Sequence, residues 1–130
     1  MVDSVGIGYN FALHLSDNGF QVFGFNAGAR AMEPQQFANQ KAEAHWTFRS
    51  YLQANLISQL SDEECQAQLS TILYRENPRG LTEIETKDQR NKRGIPGSPD
   101  RAESLIMSFM KVIVANTGLA YDARVEISPY

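Results

Sequence analysis

An α/β fold is predicted for this 130-residue chain by three patterns in its sequence. A helical segment followed by a β-rich one opens the chain, two short β-leaning runs flank a Pro/Gly turn further on, and an amphipathic helix lies beyond them. The amphipathic helix is the most informative. In residues 98–110 (SPDRAESLIMSFM), Ser98 is a good N-cap and Pro99 suits the first helical position, where its missing N–H costs nothing. Ala102, Leu105, Ile106, Phe109, Met110 and Ile113 then recur at i, i+3, i+4, i+7, i+8 and i+11, which lays an apolar stripe along one face. At about 100° per residue Glu103 falls on the border of that stripe, while Asp100 points away from it. Glu103 is therefore the acid aimed beside the core, although acids in a first turn also serve simply to complement the helix dipole.

Composition narrows the function classes. A 42% hydrophobic content over 130 residues supplies one ordinary core. A formal charge of −3 argues against coating nucleic acid through bulk positive charge, so any DNA contact must be a local basic strip. With Cys65 as the single cysteine, neither a disulfide framework nor a thiolate zinc site is available, and a reducing compartment is expected. No apolar run approaches the roughly 18 residues of a membrane span, and no signal-peptide layout opens the chain, so no membrane partner is expected.

In chain order, Ser4 to Gly8 leads into a helix whose Phe11, Ala12 and Leu15 mark one face and which Asp17, Asn18 and Gly19 end. Gly6 and Gly8 do not make a dinucleotide fingerprint, because Phe11 stands at the third glycine position. Residues 20–26 (FQVFGFN) read as a strand. A strand end at Asp3, a helix and this strand imply parallel pairing by a right-handed crossover, with Val2 and Asp3 either pairing as a stub or ending a strand that begins upstream. The edge of the 20–26 strand would be prone to pairing with a second chain, and a homo-oligomer is expected on that ground.

Further on, the 31–55 segment reads as a long helix starting near Phe37. His45 and His14 lack a second His or Cys at ligand spacing, so structural or surface roles are expected. Ser61 with Glu64 has the pattern of a capping box opening a short helix through Leu69. Residues 70–76 and 81–86 read as a hairpin across Asn77-Pro78-Arg79-Gly80. Residues 87–93 (KDQRNKR) form the densest basic run, read either as a solvated loop or as phosphate-gripping groups at Lys87, Arg90, Lys92 and Arg93. The tail over 112–130 carries no motif.

Three stretches read together: VDSVGIG at 2–8, VFGFNAGARAMEPQQFANQKAEAHW at 22–46, and KDQRNKRGIPGSPDRAESL at 87–105. Their order and spacing resemble the C-terminal nuclease domain of the phage terminase large subunit, the DNA-packaging motor protein. The resemblance covers residues 1–111, and it implies a ribonuclease H-like α/β nuclease fold, N-terminally truncated, with a β-hairpin and a C-terminal helix. It also implies an endonuclease that cuts concatemeric double-stranded DNA in the host cytoplasm with Mg²⁺ or Mn²⁺ in a two-metal site. The terminase small subunit and the portal are its implied partners.

By the same resemblance Asp3 is the second of three metal-binding acids. Glu103 stands where the family usually has Asp, and Asp100 matches an earlier Asp of that motif. The first acid and the ATPase domain would lie upstream of this sequence. Lys87 is the implied backbone or transition-state charge partner. Asp3, Glu103, Asp100 and Lys87 are thus the expected catalytic set, and Lys87, Arg90, Lys92 and Arg93 the expected DNA-binding set. The alternative is a non-catalytic prophage remnant that binds DNA or a packaging partner.

Overall fold

The computed structural model describes residues 1–110, in two compact units whose described parts are Met1–Ala27 and Gly28–Met110. In the first unit, β1 (Val2–Asp3), α1 (Ile7–Asp17) and β2 (Gly24–Phe25) follow one another, and β1 pairs in parallel with β2, Val2 opposite Gly24 and Asp3 opposite Phe25. The expected parallel pairing is present with Val2 and Asp3 as one partner, closed by Val2 N–H to Phe23 O and Ser4 N–H to Phe25 O, both at 2.9 Å. The strand expected over 20–26 shrinks to Gly24–Phe25, because a ladder extends only as far as its partner. Phe20 is left 63% exposed. The expected face of α1 is also corrected: Ala12 is fully buried, but Phe11 is 55% exposed. Gly8 sets how closely α1 approaches β1, since a Cβ there would lie 1.8 Å from the Asp3 carbonyl oxygen.

The second unit holds α2 (Gln40–Gln53), α3 (Glu63–Thr71), β3 (Tyr74–Glu76), β4 (Thr82–Ile84), α4 (Lys87–Lys92) and α5 (Asp100–Ser108). α2 starts later than its apolar pattern suggests. Phe37 forms a parallel bridge with Thr82, fixed by Ala38 N–H to Thr82 O at 2.9 Å and Thr82 N–H to Gln36 O at 2.8 Å. Asn39 then caps the helix, its side-chain oxygen accepting from Ala42 N–H at 2.9 Å. Phe37, Ala31 and Ala42 form a buried cluster against which Trp46 and Ile84 pack.

β3 and β4 make the expected antiparallel hairpin, Tyr74 opposite Ile84 and Glu76 opposite Thr82. The Asn77 side chain holds its turn by accepting from Arg79 N–H at 2.9 Å and Leu81 N–H at 3.1 Å. Ser70 and Thr71, expected in the first strand, instead close α3. Their hydroxyls donate back to the Ala67 and Gln68 carbonyls, which offers these residues helical partners in place of a ladder.

Three further helix starts differ from expectation. α3 is capped by Asp62, which accepts from Cys65 N–H at 2.9 Å, while Glu64 is turned to Arg101 at 3.0 Å. The basic run is a helix, α4, opened by a capping box: Thr86 accepts from Gln89 N–H at 3.2 Å, and Gln89 Oε1 accepts from Thr86 N–H at 2.9 Å. At α5, Pro99 is the N-cap and no side chain of its own caps the helix. Gln68 Oε1, from α3, accepts from Ala102 N–H at 3.0 Å and satisfies an orphan donor that Ser98 was expected to take.

The apolar stripe of α5 is present, with Ala102 fully buried and Ile106 2% exposed. Burying a side chain such as that of Ile106 contributes roughly 2 kcal/mol. Phe109 caps the helix and packs its ring on Phe48 at 5.3 Å and Tyr51 at 5.9 Å. Ile113, expected on the same stripe, and the tail over 112–130 lie outside the described residues. Among the described residues no helix is long and apolar enough to cross a membrane.

Candidate active site

α2, β4, α4 and α5 surround a cavity of about 110 Å³ in the second unit, with Lys41, His45, Glu85, Lys87, Arg90 and Glu103 among its walls. Glu103 reaches it because it lies one residue beyond the buried Ala102 in the first turn of α5, on the border that the stripe implied. Its Oε1 pairs with Lys41 Nζ at 2.6 Å, and the two side chains are 33% and 29% exposed. Asp100, at the start of the same helix, is exposed and is not among the residues lining the cavity. The cavity wall thus brings Glu103 to this site and not Asp100.

The first turns of α2 bring three polar residues to separate tasks. Asn39 caps, Lys41 meets Glu103, and the buried Glu43 accepts from Met32 N–H at 2.7 Å and Glu33 N–H at 3.2 Å. Glu43 thereby ties down the loop ahead of α2. His45 Nδ1 lies 2.8 Å from the Lys41 carbonyl oxygen, which can only accept, so this contact places the proton on Nδ1. Burial pushes the imidazole below its ordinary value and favours the neutral ring. Its Nε2 is then a lone pair, buried and without a partner among the described residues.

The basic run divides into structural and free cations. Arg90 is 6% exposed; its guanidinium donates to Thr71 O at 3.2 Å and Thr71 Oγ1 at 2.8 Å, and it lies 3.6 Å from Glu85. Arg93 clasps Glu85 with both ends, Nε to Oε2 at 2.9 Å and Nη2 to Oε1 at 2.7 Å, and adds Nη2 to Thr71 O at 2.8 Å. The Arg93 guanidinium holds the Glu85 carboxyl below the usual carboxylate range, against the opposing effect of burial. Leu73 N–H helps, donating to the same carboxylate at 3.0 Å.

Arg90 is therefore removed from the DNA-binding set, and Arg93 is largely committed to Glu85. Lys87 and Lys92 remain exposed, with Lys87 at the cavity wall. Sequence reasoning missed Lys41 altogether, since a pair 62 residues apart leaves no local signal. The capping box of α4 was legible as Thr86-x-x-Gln89.

Asp3 belongs to the first unit. It ends β1, is exposed, and its Oδ1 accepts from Val5 N–H at 3.0 Å. His14 is exposed on α1. Among the described residues no group of three or more His, Cys, Asp or Glu side chains is disposed to hold a metal.

No family model matches this sequence, and no curated protein matches it. Solved structures do. A lysine-to-alanine variant of the nuclease domain of the large terminase subunit gp2 of bacterial virus Sf6, with manganese, superposes with a TM-score of 0.67 at 20% identity, covering 85% of this chain and 64% of that one. The same variant with calcium gives 0.66 at 20% identity, covering 85% of this chain and 63% of that one. The nuclease domain without that substitution gives 0.60 at 21% identity, over 85% and 64%. The chain thus spans a little under two thirds of the length of these structures, and its fold is that of a phage large terminase nuclease domain.

Proposed function

We propose, from a chain with the fold of the phage large terminase nuclease domain, that it is the nuclease portion of a DNA-packaging protein and hydrolyses double-stranded DNA with Mg²⁺ or Mn²⁺. The observation that carries this reading is Glu103. A carboxylate stands at the wall of a small cavity that the exposed Lys87 also lines, in a fold whose solved relatives hold manganese or calcium.

The residues fit such an ion in kind. Mg²⁺ is commonly held by one or two carboxylates together with waters and substrate phosphate oxygens, so a full cage of acids is not required. Glu103 supplies one carboxylate in the second unit; a metal-binding role for Asp3, which ends β1, is proposed from the resemblance alone. The orphaned Nε2 of His45 adds a buried polar atom to the wall of the same cavity. A bound ion would supply activation of a water and stabilisation of the leaving oxygen of the phosphodiester. Lys87 places a positive charge at the cavity wall, where the phosphate oxygens gain charge in the transition state. Lys92, exposed at the last residue of α4, meets the backbone further along. Packaging partners such as the small subunit and the portal belong to the same reading.

Nicking of supercoiled plasmid in the presence of Mn²⁺ tests it. The wild-type chain is expected to nick, and Asp3→Asn to lose that activity while keeping its far-ultraviolet circular dichroism. Absence of nicking by the wild-type chain, or full activity of Asp3→Asn, would overturn the assignment.

DNA contact is tested separately by fluorescence anisotropy. Lys87→Glu combined with Lys92→Glu is expected to weaken retention at low salt and to lower the steepness of the log–log salt dependence by about 2, one contact per lysine. An unchanged slope would make both lysines bystanders.

A further inference from the structure

We infer that Lys41 is a positioning residue of this site, a resident cation that holds the Glu103 carboxylate at the cavity and competes with the divalent metal for it. The inference rests on the proposed reading of Glu103 as a metal ligand. Three observations carry it.

First, Lys41 occupies the first turn of α2, two residues after the Asn39 cap, where the helix dipole disfavours a positive charge. Helix formation does not explain a lysine there; its partner does. The ammonium lies 2.6 Å from Oε1 of a residue 62 positions away.

Second, the pair is not needed to hold α2 against α5. Phe48 and Tyr51 on α2 already pack on Phe109, and Ala102 and Ile106 fix the buried face of α5. An ion pair whose side chains are 29% and 33% exposed adds little to stability.

Third, both groups can respond to an incoming ion. The backbone of Glu103 is set by its buried neighbour Ala102, whereas its side chain and the lysine stem are long, flexible and open to water. Two cations on one carboxylate repel each other, so the ammonium must give way, at least in part, for a divalent ion to bind. Until then it keeps the acid aimed at the cavity, which matters more for Glu, with its extra methylene, than for Asp.

The test is Mn²⁺ affinity of the full chain, read from the electron paramagnetic resonance of free aqueous Mn²⁺ at low ionic strength, for wild type, Lys41→Met, Lys41→Arg and Glu103→Gln. Lys41→Met keeps the stem and removes the charge, and it is expected to bind Mn²⁺ about tenfold more tightly. Lys41→Arg is expected to restore wild-type affinity, and Glu103→Gln to abolish the site. If binding depends on Glu103 but Lys41→Met leaves it unchanged or weaker, the role of Lys41 is overturned and the site survives. If no variant shows Glu103-dependent Mn²⁺ binding, the site and the inference fall together.

Discussion

Glu103→Gln is expected to remove Mn²⁺-dependent plasmid nicking, lowering the rate by about a hundredfold or more, the scale on which losses around a metal site are felt. The substitution is nearly isosteric. A glutamine oxygen still accepts from Lys41 Nζ, which now lies 2.6 Å from Oε1, so the contact between α2 and α5 persists. Ala102 and Ile106 continue to bury the helix face. What disappears is the negative charge that a divalent cation needs. Gel-based nicking assays run beside thermal melts separate the two consequences: activity falls while the melting temperature moves little. A Glu103→Gln chain that nicks at the wild-type rate would show that the acid on the border of the α5 stripe has no part in the chemistry.

Arg90→Met has the largest expected effect on stability, a loss of about 2–4 kcal/mol, at or below the range for breaking a buried charged pair. The guanidinium is 6% exposed and satisfies Thr71 through both its carbonyl and its hydroxyl, binding α4 to the end of α3. Methionine fills much of the volume but leaves the half-buried Thr71 hydroxyl without that donor, while Thr71 O keeps Arg93. Arg93 keeps its two contacts to Glu85, which holds the loss below that of an uncompensated carboxylate.

The pH dependence has a definite sign. Glu85 is held below its ordinary value, so its contribution is present above the usual carboxylate range and is lost as pH falls through the depressed folded value. The share of the Arg90→Met penalty that comes from Glu85 should therefore shrink in acid. Urea or thermal denaturation at neutral and acidic pH checks both points. An unchanged midpoint at neutral pH, together with weakened DNA retention, would return Arg90 to the phosphate-binding set.

The two substitutions show how unevenly the site was legible. Glu103 could be placed beside the core from the spacing of Ala102 and Ile106 alone, because helical periodicity is a local property and fixes which side chains share a face. Asp100 was separable from Glu103 by the same geometry, and only the resemblance to terminase nucleases put it in the metal set. Arg90 and Lys87 carry the same charge in one run of residues, and nothing local distinguishes a buried clamp from a free cation. That distinction arises from Thr71, 19 positions away.

Helix boundaries failed for a related reason. Ser98 had the right chemistry to cap α5, but Gln68 reached the Ala102 amide from another helix. Phe37 had the right spacing to begin α2, but Thr82 drew it into a bridge. By contrast, the parallel pairing of β1 with β2 and the hairpin turn at Asn77 both followed from short-range signals.

By itself, the sequence determined the order of helices and strands apart from α4, the apolar stripe of α5 and the acid on its border. These depend on backbone periodicity and on turn residues that act within a few positions of themselves. The tertiary structure alone decided that Lys41 would meet Glu103, that Arg90 would be spent on Thr71, and that Lys87 and Lys92 would stay exposed. A charged side chain takes whichever partner the packing brings within about 3 Å, and that partner can lie anywhere along the chain.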